Sequence, residues 1–254
     1  MRPIRAVFFD LDATLVDYDR AAWHATVRRV CAALTADAPH IHPDRVFDAY
    51  TGAYAAHLGG AEGVIARSAA GSPDARAIWG ELWQRALSAC GYESESLAGR
   101  ALDLYTRDRH ASYRLFDDVT EVLVALRERV DALAVVTNGP GDAQRDKMAA
   151  TGLGRRFDEI VVSAEVGVAK PEKAIFDLAI RRLGVEPESV WHVGDSLATD
   201  VLGAQNARLG ADIWLNRNGL TRRTGDPSPG HEVASLRELL TLVDRRAQDV
   251  PKSR

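Results

Sequence analysis

The apolar run AVFF ends in Asp10; a second carboxylate, Asp12, follows two residues later and Thr14 two beyond that. Three further polar clusters accompany it: Thr137, Asn138 and Gly139 after ALAVV, Lys170 with Pro171 in GVAKPEKAIF, and Asp195 with Asp200 in GDSLATD after VWHV. Carboxylates gathered at one place repel one another unless a cation joins them, and an all-oxygen donor set suits Mg2+. Mg2+ and Lys170 together would attract and polarise a phosphoryl group, whose transfer depends on positioning and charge stabilisation. Asp10 then reads as an ionised nucleophile forming an aspartyl-phosphate, and Asp12 as an acid/base group whose pKa its acidic neighbours raise. Thr14 and Thr137 are expected to hydrogen-bond the nucleophile or the phosphate, with backbone N–H groups around Asn138 and Gly139 adding anion contacts.

For these clusters to converge, the runs before them must be strands of one parallel sheet, because ligands of such sheets bind outside the carboxyl ends of the strands. IRAVFF, ALAVVTN, EIVVS, SVWHVGD and the weaker ADIWLN are short and rich in β-formers, as strands buried on both faces require. VTEVLVALRERV and PEKAIFDLAIRRLGV repeat apolar residues at three- and four-residue spacing, with Gly184 placed to cap the second. Strand alternating with helix predicts an α/β, doubly wound parallel sheet. Residues 20–112 break the alternation and keep helical periodicity almost throughout. The chain is therefore expected to divide into a discontinuous core, 1–19 with 113–254, and an inserted helical domain, 20–112. Trp23, Trp79 and Trp83 are expected to pack within the insert, and Tyr18, at its entrance, to pack before it contacts ligand. Residues 218–231 read as a surface loop.

The balance of charges excludes other classes of partner. A net charge of -4 with both signs mixed along the chain offers no basic face for a nucleic-acid polymer or a membrane surface. Two cysteines in 254 residues make no disulfide framework and have no metal-ligand spacing. No run is long and apolar enough to span a bilayer, so a cytoplasmic protein acting on a small molecule is expected, its oligomeric state open.

DLDATL, VVTNG, GVAKPEKAIF and VGDSLATD resemble, in order, the four motifs of the haloacid dehalogenase superfamily of phosphohydrolases. The resemblance implies a Rossmann-like core and a helical cap at the position of the insert. It also implies a Mg2+ ligand in Asp10, a backbone-carbonyl ligand and general acid/base in Asp12, and a second carboxylate ligand in Asp195. Lys170 would neutralise nucleophile and phosphate, and Asp200 would hold the lysine or a metal-bound water. Ala13 departs from the Gly, Asn or Asp usual there. Dehalogenases of the superfamily lack the acid that Asp12 provides, which leaves a phosphatase or, sharing all four motifs, a phosphomutase. TNGPGDAQRDKM is similar to the branch holding pyrimidine 5′-nucleotidases and N-acylneuraminate 9-phosphatase, which implies a nucleoside monophosphate or sugar phosphate as substrate. A non-enzymatic module that carries phospho-aspartate as a signal is the alternative of another class; the large insert beside Asp10 favours turnover.

Overall fold

The computed structural model describes residues 3–17, 20–58 and 74–248; Tyr18 lies outside them. Strand β1 (Ala6–Phe9) leads to a two-residue antiparallel ribbon, β2 (Val16–Asp17) with β3 (Arg114–Leu115). Between the ribbon's strands run helices α1 (Arg20–Asp37), α2 (Pro43–Leu58), α3 (Ala75–Ala89) and α4 (Glu95–His110). Strand and helix then alternate through α5 (Val119–Arg127), β4 (Ala132–Thr137), α6 (Gly141–Thr151), β5 (Glu159–Val162), the single turn α7 (Ser163–Val166) and α8 (Lys173–Leu183). The described residues continue with β6 (Val190–Gly194), α9 (Leu202–Asn206), β7 (Ala211–Leu215), β8 (His231–Val233) and α10 (Leu236–Gln248).

Six strands form one parallel sheet in the order β5-β4-β1-β6-β7-β8. Strand order reverses at β1, which is flanked by β4 and β6, so the crevice of this doubly wound fold opens at the carboxyl end of β1. Register levels those ends: Phe9 lies opposite both Val135 and Val193, and the Asp10 N–H extends the ladder to the Val193 carbonyl at 2.9 Å.

Alternation along β1 builds the two layers. Val7 and Phe9 face α5 and α10 through Val119, Leu123, Leu236 and Leu239. Ala6 and Phe8 face α8 through Ile175, Phe176 and Ile180. All four residues of β1 are fully buried, and each aromatic ring so buried contributes about 1.5–3 kcal/mol.

Helices α1–α4 enclose an apolar cluster of their own. Tyr50 stacks on Trp83 at 4.0 Å, Trp79 meets Tyr105 edge-on, and the Trp23 indole donates to the Tyr105 hydroxyl at 2.9 Å. All three tryptophans therefore pack within these helices. Among the described residues no helix is long and apolar enough to cross a membrane.

The five strands expected from apolar runs are present, and Gly184 ends α8 in the left-handed conformation. The stretch 218–231 differs at its end, where β8 adds a sixth strand. His231 and Glu232 are exposed on this edge and only Val233 is buried, so β8 has no apolar run to announce it.

Candidate active site

The carboxyl ends of β1 and β6 bring Asp10, Asp195 and Asp200 together: one oxygen from each lies within 4.8 Å of the others. Lys170, on the loop before α8, is almost fully buried and donates to Asp10 at 2.7 Å and Asp200 at 2.6 Å. Asp200 also accepts from the Ser196 N–H at 3.0 Å and meets His192 Nε2 at 3.0 Å. The Asn138 side chain seats Lys170 by donating to its carbonyl and accepting its N–H, both at 2.9 Å.

Charge is unevenly shared in this cluster. Burial, then repulsion by Asp10 and Asp200, pushes Asp195 up to about 8. Burial raises Asp10 to about 6, with Lys170 opposing the rise and Asp200 and Asp12 adding to it. Burial would raise Asp200 too, but Lys170 and His192 hold it far below the usual carboxylate range. Burial would lower Lys170, yet Asp10 and Asp200 keep it firmly protonated. One ammonium thus faces three carboxylates, two of which resist ionisation. Three hard oxygen donors, two of them short of a cation that would let them ionise, fit Mg2+.

Asp12 departs from expectation. Its carboxylate receives two bonds from Lys147 Nζ, at 2.7 and 2.6 Å, and one from Gln144 Nε2 at 3.2 Å. Burial alone would raise its pKa, but Lys147 and Gln144 draw it below the usual value, whereas the neighbouring acids had pointed upward. The sequence reading missed both residues. The available signal was their i, i+3 spacing on the helix that follows TNG, which puts them on one face.

The remaining expected contacts divide. Thr137 is buried and its hydroxyl accepts from Gln144 Nε2 at 2.7 Å. The Gly139 N–H, expected to serve an anion, donates instead to the Ser163 hydroxyl at 3.0 Å. The Asn138 side chain is engaged with Lys170, whereas the anion contact expected at this position is from the backbone N–H. Thr14 is fully buried, its hydroxyl without a partner among the described residues; its carbonyl accepts from Arg217 at 3.1 Å. Ala13 has φ 58, a left-handed backbone that costs an alanine roughly 1–2 kcal/mol and that Gly or Asn adopts more readily.

The doubly wound sheet with this acid-and-lysine centre defines the class, and comparison with known proteins gives the family. Residues 4–208 match the haloacid dehalogenase-like hydrolase model, and the chain belongs to that family. It is 35% identical over 163 residues to N-acylneuraminate-9-phosphatase of Homo sapiens, covering 63% of this chain and 65% of that protein. It is 42% identical over 112 residues to the pyrimidine 5′-nucleotidase YjjG of Escherichia coli, covering 44% and 49%. The matches thus span less than two thirds of these relatives' length. The magnesium-bound structure of the HAD-hydrolase YfnB from Bacillus subtilis superposes with a TM-score of 0.67 at 23% identity, over 96% of this chain and all of that one.

Proposed function

We propose that this protein is a Mg2+-dependent phosphatase that cleaves a small phosphate monoester through an aspartyl-phosphate on Asp10. The observation that carries the reading is the Lys170 ammonium bridging Asp10 and Asp200, with Asp195 beside them. Mg2+ would be held by Asp10, Asp195 and the Asp12 carbonyl, with Asp200 supporting, and when bound it neutralises charge at the phosphoryl group.

In the first half-reaction an Asp10 oxygen forms a bond to phosphorus as the bond to the leaving oxygen breaks, and Asp12 delivers a proton to that oxygen. Because Lys147 keeps Asp12 ionised in the free protein, the proton enters with the substrate, whose phosphate has a second pKa of about 6. In the second half-reaction Asp12 accepts a proton from water, the water oxygen bonds to phosphorus and the Asp10–phosphorus bond breaks; the proton then leaves Asp12 with the departing phosphate, which restores the ionised carboxylate. Lys170 balances charge at Asp10 throughout, and the Thr137 hydroxyl donates to the phosphoryl oxygens. The names of the relatives support a sugar phosphate or a nucleoside monophosphate as substrate.

The test is phosphate release from panels of both substrate classes with Mg2+, with EDTA and with Asp10→Asn. Release that needs Mg2+ and disappears in a folded Asp10→Asn variant supports the reading. Comparable release by that variant removes the covalent step.

A further inference from the structure

Lys147 and Gln144 lie on α6, outside the four sequence motifs, yet both are buried and both point at the site. Lys147 Nζ touches both oxygens of Asp12 and donates to Gln144 Oε1 at 2.6 Å. Gln144 Nε2 faces three acceptors: Asp12 Oδ2 at 3.2 Å, Thr137 Oγ1 at 2.7 Å and the Asn138 carbonyl at 3.1 Å. The amide can point only one way, since its oxygen meets an ammonium and its nitrogen meets oxygens. Thr137 is thereby an acceptor toward Gln144, which leaves its hydroxyl hydrogen to be donated elsewhere.

We propose that Gln144 and Lys147 form a positioning pair, fixing the carboxylate of Asp12 and directing the Thr137 O–H toward the phosphoryl group. The inference rests on the phosphatase reading above and assigns two residues that none of the four motifs contains. Neither side chain touches the reacting atoms; Lys147 acts through Asp12, and Gln144 through Asp12 and Thr137. The consequence is selective. Substrates whose leaving oxygen must be protonated depend on a well-placed Asp12, while a p-nitrophenolate leaves without a proton.

The experiment compares kcat/KM for a sugar phosphate and for p-nitrophenyl phosphate, because this ratio reports the steps through phosphoenzyme formation. General acid catalysis contributes on the order of 10²–10⁴. Lys147→Met is therefore expected to lower kcat/KM for the sugar phosphate at least about tenfold more than for the aryl ester. Lys147→Arg, which keeps a cation, should recover part of the loss. In an Asp12→Ala background Lys147→Met should add no further selective loss, since two groups acting as one unit are not additive. Thermal melting checks each variant's fold. Should Lys147→Met fail to fold, Gln144→Leu leaves the ion pair intact and carries the same comparison, with a weaker selective loss and weaker inhibition by inorganic phosphate.

Equal losses on both esters, or a full additional loss without Asp12, would overturn the inference alone. An unsubstituted protein that releases phosphate from neither ester with Mg2+ overturns the phosphatase reading and the inference with it.

Discussion

Gly194, the last residue of β6, allows Asp200 to reach Lys170. A Cβ built on Gly194 would lie 2.1 Å from Asp200 Cγ, 2.3 Å from Oδ2 and 2.5 Å from Cβ. Carbon atoms in contact sit at about 3.5–4.0 Å, so Gly194→Ala must drive the Asp200 side chain back by roughly 1.5 Å. Asp200 cannot yield cheaply, being tied to Lys170 at 2.6 Å and to His192 and the Ser196 N–H at 3.0 Å. A bond to a charged group contributes about 1.5–3 kcal/mol, and breaking one side of a buried ion pair costs about 3–5 kcal/mol. These costs overlap, which puts the expected destabilisation at about 3–5 kcal/mol. Urea unfolding followed by circular dichroism reads it directly, with Gly99→Ala, at an exposed position of α4, as control. There the added Cβ meets nothing within 4 Å and should gain about 0.5–1 kcal/mol. A Gly194→Ala protein within about 1 kcal/mol of the parent would refute the argument that Asp200 is held rigidly.

Addition of Mg2+ should raise the melting temperature by roughly 5–10 °C at a hundredfold excess over its dissociation constant, and Asp195→Asn should remove most of that shift; an equal rise with Na+ at matched ionic strength would argue against a specific site. Asp118 sets an acid limit on stability. Burial would raise this carboxyl, but bonds from Arg217 at 2.9 and 2.8 Å and from the Leu236 N–H at 2.8 Å hold it below the usual range. The unfolded chain therefore takes up a proton near pH 4 that the native state refuses, so this stabilisation is complete above that pH and is lost as pH falls toward the native value. Asp118→Asn should lower stability at pH 7 by about 2 kcal/mol and flatten the acid limb below pH 4, as melting temperatures across that range will report.

The sheet and the gathering of Asp10, Lys170, Asp195 and Asp200 at its edge could be read in the sequence because each rests on local order. Five strands are apolar runs, and each acid or lysine follows a run or opens a helix. β8 escaped because its register is set by pairing with β7 at an edge, where only Val233 needs burial. The state of Asp12 escaped for a different reason. Counting neighbours along the chain finds Asp10, whereas the group that decides its charge is Lys147, 135 residues away. The uses of Asn138 and the Gly139 N–H were also long-range, decided by Lys170 and Ser163 at the ends of other segments. Ala13 explains its own exception: that position is constrained by backbone conformation, so an alanine remains compatible with the motif at some cost.

Helix α6 has a second set of attachments. Asp142, on its first turn, accepts the N–H groups of Ala75 and Arg76 at 2.9 and 3.2 Å, so a core carboxylate caps the positive end of α3. Asp146 pairs with His110 at the end of α4, and Ala143 joins the aromatic cluster of the inserted helices. The residues that grip the insert alternate along α6 with those that grip Asp12. A displacement of the insert that strains the first set without breaking it is passed to the helix that carries the second. The two sets differ in their response to salt: the Asp142 contacts with the Ala75 and Arg76 N–H groups lie partly in solvent and are screened, whereas Lys147 against Asp12 is largely buried and screened much less.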